Sequence, residues 1–400
     1  MIRRLTEGDM VPYCNLRRDA LWPAPELDDA YERGVLEQRI PYMWGYEENG
    51  QLASVATFHP LRMYLAGNKT NMAGLAGVVT ALTARRRGFV KALLHHGFSH
   101  LREQNQTAEV QQDPTLGVGW CLDYPFDPRY YARYGFQSIP NGTEVGVPPE
   151  RLRIAATTQL HPQRVDPLAD LEAYQPLYAN IHRQFIRHYA FALCRDDDMF
   201  VNWRRVADEP QAFVFGEEAY CFVKMSRKDS KKVLAVQDYA YKSQAGRTAL
   251  FTFLANLQGH IDVIYLHLPA DEPLLYDLGA FVNGPETHFQ ARIIDVHVAL
   301  ASLPAPKELE HLRVNIIDTF CAWNHGTFNV VMNPAGIAVS DTDKPAKVSA
   351  DIRALPLLLT GVSSPQQLVY SGLVEGDIRL LEPLHGLAEG IPFMPGSDFF

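Results

Sequence analysis

The stretch that most restricts the fold is Arg85-Arg86-Arg87-Gly88, set between an apolar run, Ala73–Leu82, and an amphipathic repeat. Leu93, Leu94, Phe98 and Leu101 fall on one face of a helix read over Gly88–Arg102, the spacing expected when one side of a helix is buried. Arginines at a helix N-terminus oppose its dipole, because the unpaired first amides already make that end positive. An anion reverses the balance: it accepts from those amides, and the arginines add charge and forked donors. Gly88 would let a phosphate approach the backbone without a Cβ in the way. The alternative is a solvated basic run in front of a surface helix.

The surrounding pattern is a mixed α/β unit. Helices are read over Thr6–Trp22 and Asp28–Arg39. A strand at Tyr42–Tyr46 is followed by Asn49-Gly50, the strongest short hairpin signal, and by a return strand at Leu52–Phe58. Further strands begin at Met63-Tyr64, run through Ala73–Leu82, and recur at Val118–Leu122. At 400 residues the chain exceeds one core, since single cores stop growing at roughly 250–300 residues. Pro140, Asn141, Gly142, Pro148 and Pro149 place a boundary near residue 150. Residues 151–288 repeat the order: strands at Ala212–Phe215, Ala219–Met225 and Val233–Tyr241, a helix at Gly246–Leu257, a strand at Ile261–Leu268. Before that helix stands Tyr241-Lys242-Ser243-Gln244-Ala245, without an arginine–glycine loop, and no cofactor is expected there. Residues 289–400 form a separate α+β unit. In it a strand opens at Ile293, Ile294 and Val296, strands lie at Leu312–Phe320 and Thr327–Met332, and helices at Ala350–Thr360 and Pro365–Ser371.

Bulk properties exclude some functions. No apolar run approaches the roughly 18–20 residues of a membrane span, and the N-terminus has no apolar stretch after its arginines. A cytoplasmic protein without a membrane partner is expected. The net charge of −9 argues against nucleic acid and fits a cationic substrate better. Cys14, Cys121, Cys194, Cys221 and Cys321 form no Cys-x-x-Cys pair, and the fourteen histidines show no metal spacing. Core cysteines and no metal are expected.

Downstream of the arginine loop stands Tyr130-Tyr131-Ala132-Arg133-Tyr134-Gly135-Phe136. The pair of motifs resembles the GCN5-related N-acetyltransferase superfamily. Arg85–Val90 matches its Gln/Arg-x-x-Gly-x-Gly/Ala signature except at Val90, and Tyr131–Phe136 matches Tyr-x-Arg-x-Gly-Phe. The chain length and the bulky residues after Gly88 resemble the enhanced-intracellular-survival branch. So does Phe320-Cys321-Ala322-Trp323-Asn324-His325-Gly326-Thr327-Phe328, which is similar to the Pro-Trp-Asn-x-Gly-Thr segment of that branch's last domain. The resemblance implies two acetyltransferase-type domains in tandem, the second without cofactor, and then a sterol-carrier-like domain. It also implies a homohexamer, with acetyl-CoA as co-substrate and a small-molecule or lysine amine (aminoglycoside, polyamine or lysine side chain) as acceptor.

The same resemblance assigns roles. Tyr131 would be the general acid, protonated at neutral pH with a phenol value of about 10. Read without it, Tyr131 is one member of an aromatic cluster with Tyr130, Tyr134 and Phe136. The chain's terminal carboxylate, here on Phe400, would be the base; Phe399-Phe400 is an apolar ending where a solvated tail would be polar. Asp398 is the rival carboxylate. Arg85, Arg86, Arg87, Gly88, Phe89, Val90 and Lys91 would hold the pyrophosphate. Val78, Val79 and Thr80 would pair with the pantetheine arm, and Phe126 and Asp127 would line the adenine or pantetheine side. Glu26, Asp28 and Asp29 are candidates to attract the amine, or else an acidic helix start of the ordinary kind. A lipid-binding protein with an accessory acetyltransferase domain is the alternative function.

Overall fold

The computed structural model describes residues 1–20, 26–166, 169–195, 211–285, 289–305, 309–395 and 398. Two seven-stranded sheets and one five-stranded sheet carry the chain. The first begins with β1 (Ile2–Arg4), β2 (Met43–Glu48), β3 (Gln51–Leu65), β4 (Asn68–Thr80), β5 (Trp120–Asp123) and β6 (Gln137–Ile139). Asn49 and Gly50, both at positive φ (51° and 72°), close the β2–β3 hairpin as expected. The break expected before Met63 does not occur. Leu61, Met63 and Leu65 alternate inward and are all buried, so β3 runs on to a second two-residue turn at Ala66-Gly67.

The second sheet is built from β7 (Thr143–Val147), β8 (Gln163–Val165), β9 (Gln211–Phe215), β10 (Ala219–Lys228), β11 (Lys231–Tyr241), β12 (Val263–Leu268) and β13 (Val282–Pro285). The first sheet is completed by β14 (Phe289–Ile293). The strand orders are β1-β2-β3-β4-β5-β14-β6 and β8-β9-β10-β11-β12-β7-β13. In each, the fourth and fifth strands are parallel and the other neighbours antiparallel. The expected internal repeat is therefore present, with one exchange. β7 leaves β6 to fill the sixth place of the second sheet, and β14 leaves β13 to fill the sixth place of the first. The strand expected over Ile293–Val296 thus ends at Ile293, and the following helix is Val296–Ala301.

The third sheet has the order β17-β16-β15-β18-β19, from β15 (Leu309–Ile317), β16 (Gly326–Asn333), β17 (Gly336–Asp341), β18 (Val348–Asp351) and β19 (Val374–Gly376). A helix expected over Ala350–Thr360 is shorter, Ala354–Leu359. Asn315–Ile317 of β15 pairs in parallel with Ser349–Asp351 and draws those residues into β18. One core runs from a face of the first sheet (Met72, Trp120, Leu122, Ala291, Ile293) into this unit (Val314, Ile316, Ala350, Leu355). The opposite face packs Phe58, Leu75 and Cys121 against Leu93, Leu94 and Phe98 of the helix Phe89–Gln104. All five cysteines are buried.

Arg292 of β14 joins the first sheet to the third unit. Its guanidinium is fully buried and donates to Asp318 at 2.8 Å. Asp318 also accepts from the backbone of Phe320 and Cys321 and from Asn324. Gly135 makes room for this pair: at φ +86° it lies in the left-handed region, and a Cβ there would meet Arg292 Nη1 at 1.7 Å. Removing one partner of a buried ion pair costs about 3–5 kcal/mol, because the other charge is left without compensation. Asp318→Ala should lower the unfolding free energy by an amount on that scale, and Asp318→Asn by less. Urea titration followed by intrinsic fluorescence measures both.

Candidate active site

The arginine loop has the shape of an anion cradle. Gly88, at φ 84° and ψ 7°, is the N-cap of the helix Phe89–Gln104, with no capping side chain and no acidic residue in the first turn. A Cβ at Gly88 would meet nothing within 4 Å. The side toward which it would point is open to a ligand. Arg86 sits at φ 62°, a left-handed conformation that costs a non-glycine residue roughly 1–2 kcal/mol. The surrounding structure holds that turn. Phe89 is buried and stacks on Tyr46 at 4.1 Å, so it offers a ligand its amide and not its ring. Arg87 lies over Phe89 and binds both oxygens of Glu48, at 2.6 and 2.5 Å. Arg85 and Arg86 are exposed, as is Lys91; Val90 is half-buried and packs under the helix.

Next to this loop the sheet forks. β4 and β5 pair only over Met72–Leu75 and Trp120–Asp123. β5 ends at Asp123, while β4 continues to Thr80 with β3 alone beside it. The pairing with β3 is itself irregular between Val55 and Thr57. Past Leu75, no strand among the described residues bonds the β4 backbone on the β5 side. Ser54 Oγ bonds Thr80 Oγ1 at 2.8 Å and donates to Val79 O at 2.9 Å, fixing the strand end. Val79 is buried with Tyr13 and Val55, and Val78 packs on the helix side.

Tyr131 lies at the far side of the fork, in the short helix Pro128–Ala132. Asp127 caps that helix through Arg129 N at 3.0 Å and pairs with the Arg129 side chain, so its carboxylate has a structural use. Tyr131 is buried, with Tyr130, Phe126 and Phe136 packed edge-on around it. Phe126 is 74% exposed and forms the outer lip. Burial above all, and then the nearby Asp123 carboxyl and the rings of Tyr130 and Tyr134, raise the Tyr131 phenol above its usual value. It is a proton donor at any physiological pH.

The chain's last described residues return to this domain. Met394 N donates to Asn141 Oδ1 at 2.6 Å, and Asn141 Nδ2 donates to Met394 O at 2.9 Å. Tyr124, next after β5, donates its hydroxyl to the Met394 sulfur. Asp398, the rival base, is fully buried and is held by Arg195, which also binds Asp238 through both terminal nitrogens. Phe399 and Phe400 lie outside the described residues. Of the acidic candidates, Glu26 and Asp28 are exposed, and Asp29 caps the helix Ala30–Arg39 through Glu32 N at 2.9 Å.

Two polar residues at the fork escaped the sequence reading: Asp123 and Gln290, both buried. The signal for Asp123 is a carboxylate ending the otherwise apolar Trp120-Cys121-Leu122. The second sheet offers a contrast. Its helix Gln244–Ala255 is capped by its own Ser243, which accepts from Gly246 N at 3.1 Å. A groove of about 480 Å³, lined by Phe213, Val223, Leu234, Phe253 and Leu257, lies in that sheet and not at the arginine loop. Among the described residues, no cluster of three His, Cys, Asp or Glu could hold a metal, and no helix is long and apolar enough to cross a membrane.

Residues 1–139 match a family model described as an acetyltransferase (GNAT) domain, and residues 185–293 match a second model of that description. Residues 296–395 match a sterol carrier protein domain. Over all of both chains, the fold is similar to that of a GCN5-related N-acetyltransferase from Anabaena variabilis ATCC 29413, at 18% identity and a TM-score of 0.82. A probable N-acyltransferase from Enterococcus faecalis V583 gives 18% and 0.83, covering 100% of this chain and 99% of that one. Eis1 from Mycobacterium abscessus gives 18% and 0.79, with all of both chains covered. At that identity the likeness is one of fold. No curated protein matches the sequence.

Two measurements probe this geometry. Gly88→Glu fills the cradle with a side chain and a negative charge, so any pyrophosphate-bearing ligand that the cradle takes, acetyl-CoA being the one to test, should lose its affinity in calorimetry. The second concerns Asp398. Burial raises its carboxyl from 3.8 to about 7; Arg195 opposes the shift and Asp238 adds to it. A raised carboxyl takes up a proton on folding, so stability from this group falls as the pH rises from about 4 to about 7. Asp398→Asn should flatten the melting-temperature profile across that interval.

Proposed function

Since the chain belongs to the GCN5-related N-acetyltransferase superfamily, we propose that its first domain binds acetyl-CoA along the fork and transfers the acetyl group to a primary amine. The observation that carries this reading is the conjunction at one end of the first sheet. An uncapped, arginine-flanked helix start stands beside unpaired β4 backbone, with a buried phenol across from it. The open cradle at Gly88 fits a pyrophosphate: the Phe89, Val90 and Lys91 amides would donate to its oxygens, and Arg85 and Arg86 would screen its charge. The free side of Ala76–Thr80 suits an extended amide-bearing arm, which would add to the sheet as a strand does.

Acetyl-CoA supplies an activated carbonyl with a thiolate leaving group. The protein's part is to orient it, exclude water and move two protons. Tyr131 is the donor to the departing sulfur; its phenol is neutral and buried, with the Phe126 ring edge-on against it. For the base, the reading from resemblance is the Phe400 carboxylate. It is supported by the described part of the tail, which is fastened to Asn141 and Tyr124 beside the end of β5. The acceptor is an amine that reaches the site as a cation and must lose a proton there, as suits a protein of net charge −9. Aminoglycosides, polyamines and lysine side chains all meet that description.

The direct assay is release of free thiol from acetyl-CoA with a panel of these amines. Tyr131→Phe keeps the ring and removes the proton, so turnover should fall by roughly 10²-fold or more while acetyl-CoA affinity holds. One or two residues added after Phe400 move the carboxylate without altering a side chain, and the same loss is expected. Wild-type turnover in the Tyr131 variant would remove the phenol from the mechanism. Wild-type turnover in the extended protein would remove the tail carboxylate.

A further inference from the structure

A row of side chains beneath Tyr131 has more hydrogen-bonding capacity than partners. Asp123, Gln290 and Ser138 lie abreast on β5, β14 and β6, on the sheet face that also carries Leu75 and Cys121. Gln290 spends its amide nitrogen on Ser138 Oγ and on the carbonyl of Pro128, both at 3.1 Å. Pro128 opens the short helix that carries Tyr131, so Gln290 holds that helix to the sheet. Its own oxygen is buried with no partner, and so are both carboxyl oxygens of Asp123, a residue 2% exposed. Among the described residues no basic side chain pairs with Asp123. The nearest cation on β14, Arg292, is committed to Asp318.

A carboxyl in such a place holds its proton at rest. The cost of burying an unpaired carboxylate far exceeds that of holding a proton, and burial alone pushes Asp123 well above the usual carboxylate range. The titratable groups facing it are Tyr131 and, on its own strand, Cys121; the charge of Asp123 would raise both. Tyr130 and Tyr134 border Tyr131 from the other side.

Building on the reading of Tyr131 as the proton donor, we propose that Asp123 is a protonated positioning residue behind it, returning a proton to the phenol each time the phenol has given one away. The step balances. Tyr131 loses its O–H proton to the departing sulfur and becomes a phenolate. The Asp123 O–H bond then breaks, and its proton forms the new O–H bond of Tyr131, directly or through one water seated between them. Asp123 is left as a carboxylate and recovers its proton from solvent once the products have left. Burial raises both groups, and the transfer is driven by the phenolate, the more basic of the two in ordinary surroundings.

Asp123→Asn keeps the shape and both kinds of hydrogen bond but cannot release a proton. Its acetyl-CoA affinity by calorimetry and its KM for the amine should stay within twofold of wild type, while kcat falls about tenfold or more, within the range for lost proton-transfer groups. Tyr131→Phe combined with Asp123→Asn should be no slower than Tyr131→Phe alone. An infrared difference spectrum, wild type minus Asp123→Asn, should show the carbonyl band of a protonated carboxylic acid at neutral pH. A wild-type kcat in Asp123→Asn with turnover lost in Tyr131→Phe would overturn this inference and leave the proposed function standing. Wild-type turnover in Tyr131→Phe would sink both. If the Asn variant does not fold, infrared titration of Asp398→Asn, which removes the other raised carboxyl, decides instead: the absence of any protonated carboxyl band near pH 7 overturns the proposal.

Discussion

The pairing of β14 between β5 and β6 is the contact on which the first domain and its site depend. Gln290 ties down the helix of Tyr131, Arg292 anchors the third unit through Asp318, and Ala291 and Ile293 carry the shared core across the sheet. Three jobs fall to five residues because an internal strand is fixed on both edges and on both faces. Side chains alternate across it, so Gln290 and Arg292 face the helix side while Phe289, Ala291 and Ile293 face the third unit. A one-residue slip would exchange those two sets and bury the wrong one on each side.

Charge is handled differently in each part of the molecule. At the fork, no basic side chain among the described residues pairs with Asp123, and burial keeps it neutral. Near the chain's end, two carboxylates share the single guanidinium of Arg195, and Asp398 titrates within the physiological range. On the arginine loop the cations outnumber their partners, with Arg87 alone tied to a carboxylate, Glu48. Exposed pairs such as Arg87–Glu48 contribute little to stability, about 0–1 kcal/mol. The loop's excess charge is therefore available for binding and is not needed to hold the fold.

What the sequence disclosed was what local physics controls. The Asn49-Gly50 turn, the Leu93/Leu94/Phe98 stripe and the arginine–glycine junction each depend on residues a few positions apart, and each is found where expected. Pairing across long separations left no such mark. Nothing within Phe289–Ile293 says that its neighbours are Asp123 and Ile139. Ala350 and Asp351 read as the start of a helix until Ile316 and Ile317 are beside them. The helix Leu171–Ile186 passed unread although Tyr174, Tyr178, Ile181 and Phe185 share a face; Pro176 stands inside it. At the site, the motif residues were legible from chemistry and resemblance. The isolation of Asp123 was not, because being without a partner is a property of three-dimensional surroundings.

The exchange of β7 and β14 bears on how the protein is made. During synthesis β6 emerges early, while the strand that belongs beside it follows only after the whole second sheet. At the usual 5–20 residues per second, that gap lasts roughly 8–30 s. Throughout it, β5 and β6 are open edges, able to pair with any strand presented, including the wrong one from a neighbouring nascent chain. β7 is the first candidate within reach, and its departure for the second sheet must precede the entry of β14. The first sheet can therefore be completed only after the residues of the second have been synthesised, so that a ribosome stalled between the two would carry a sheet with one internal strand missing.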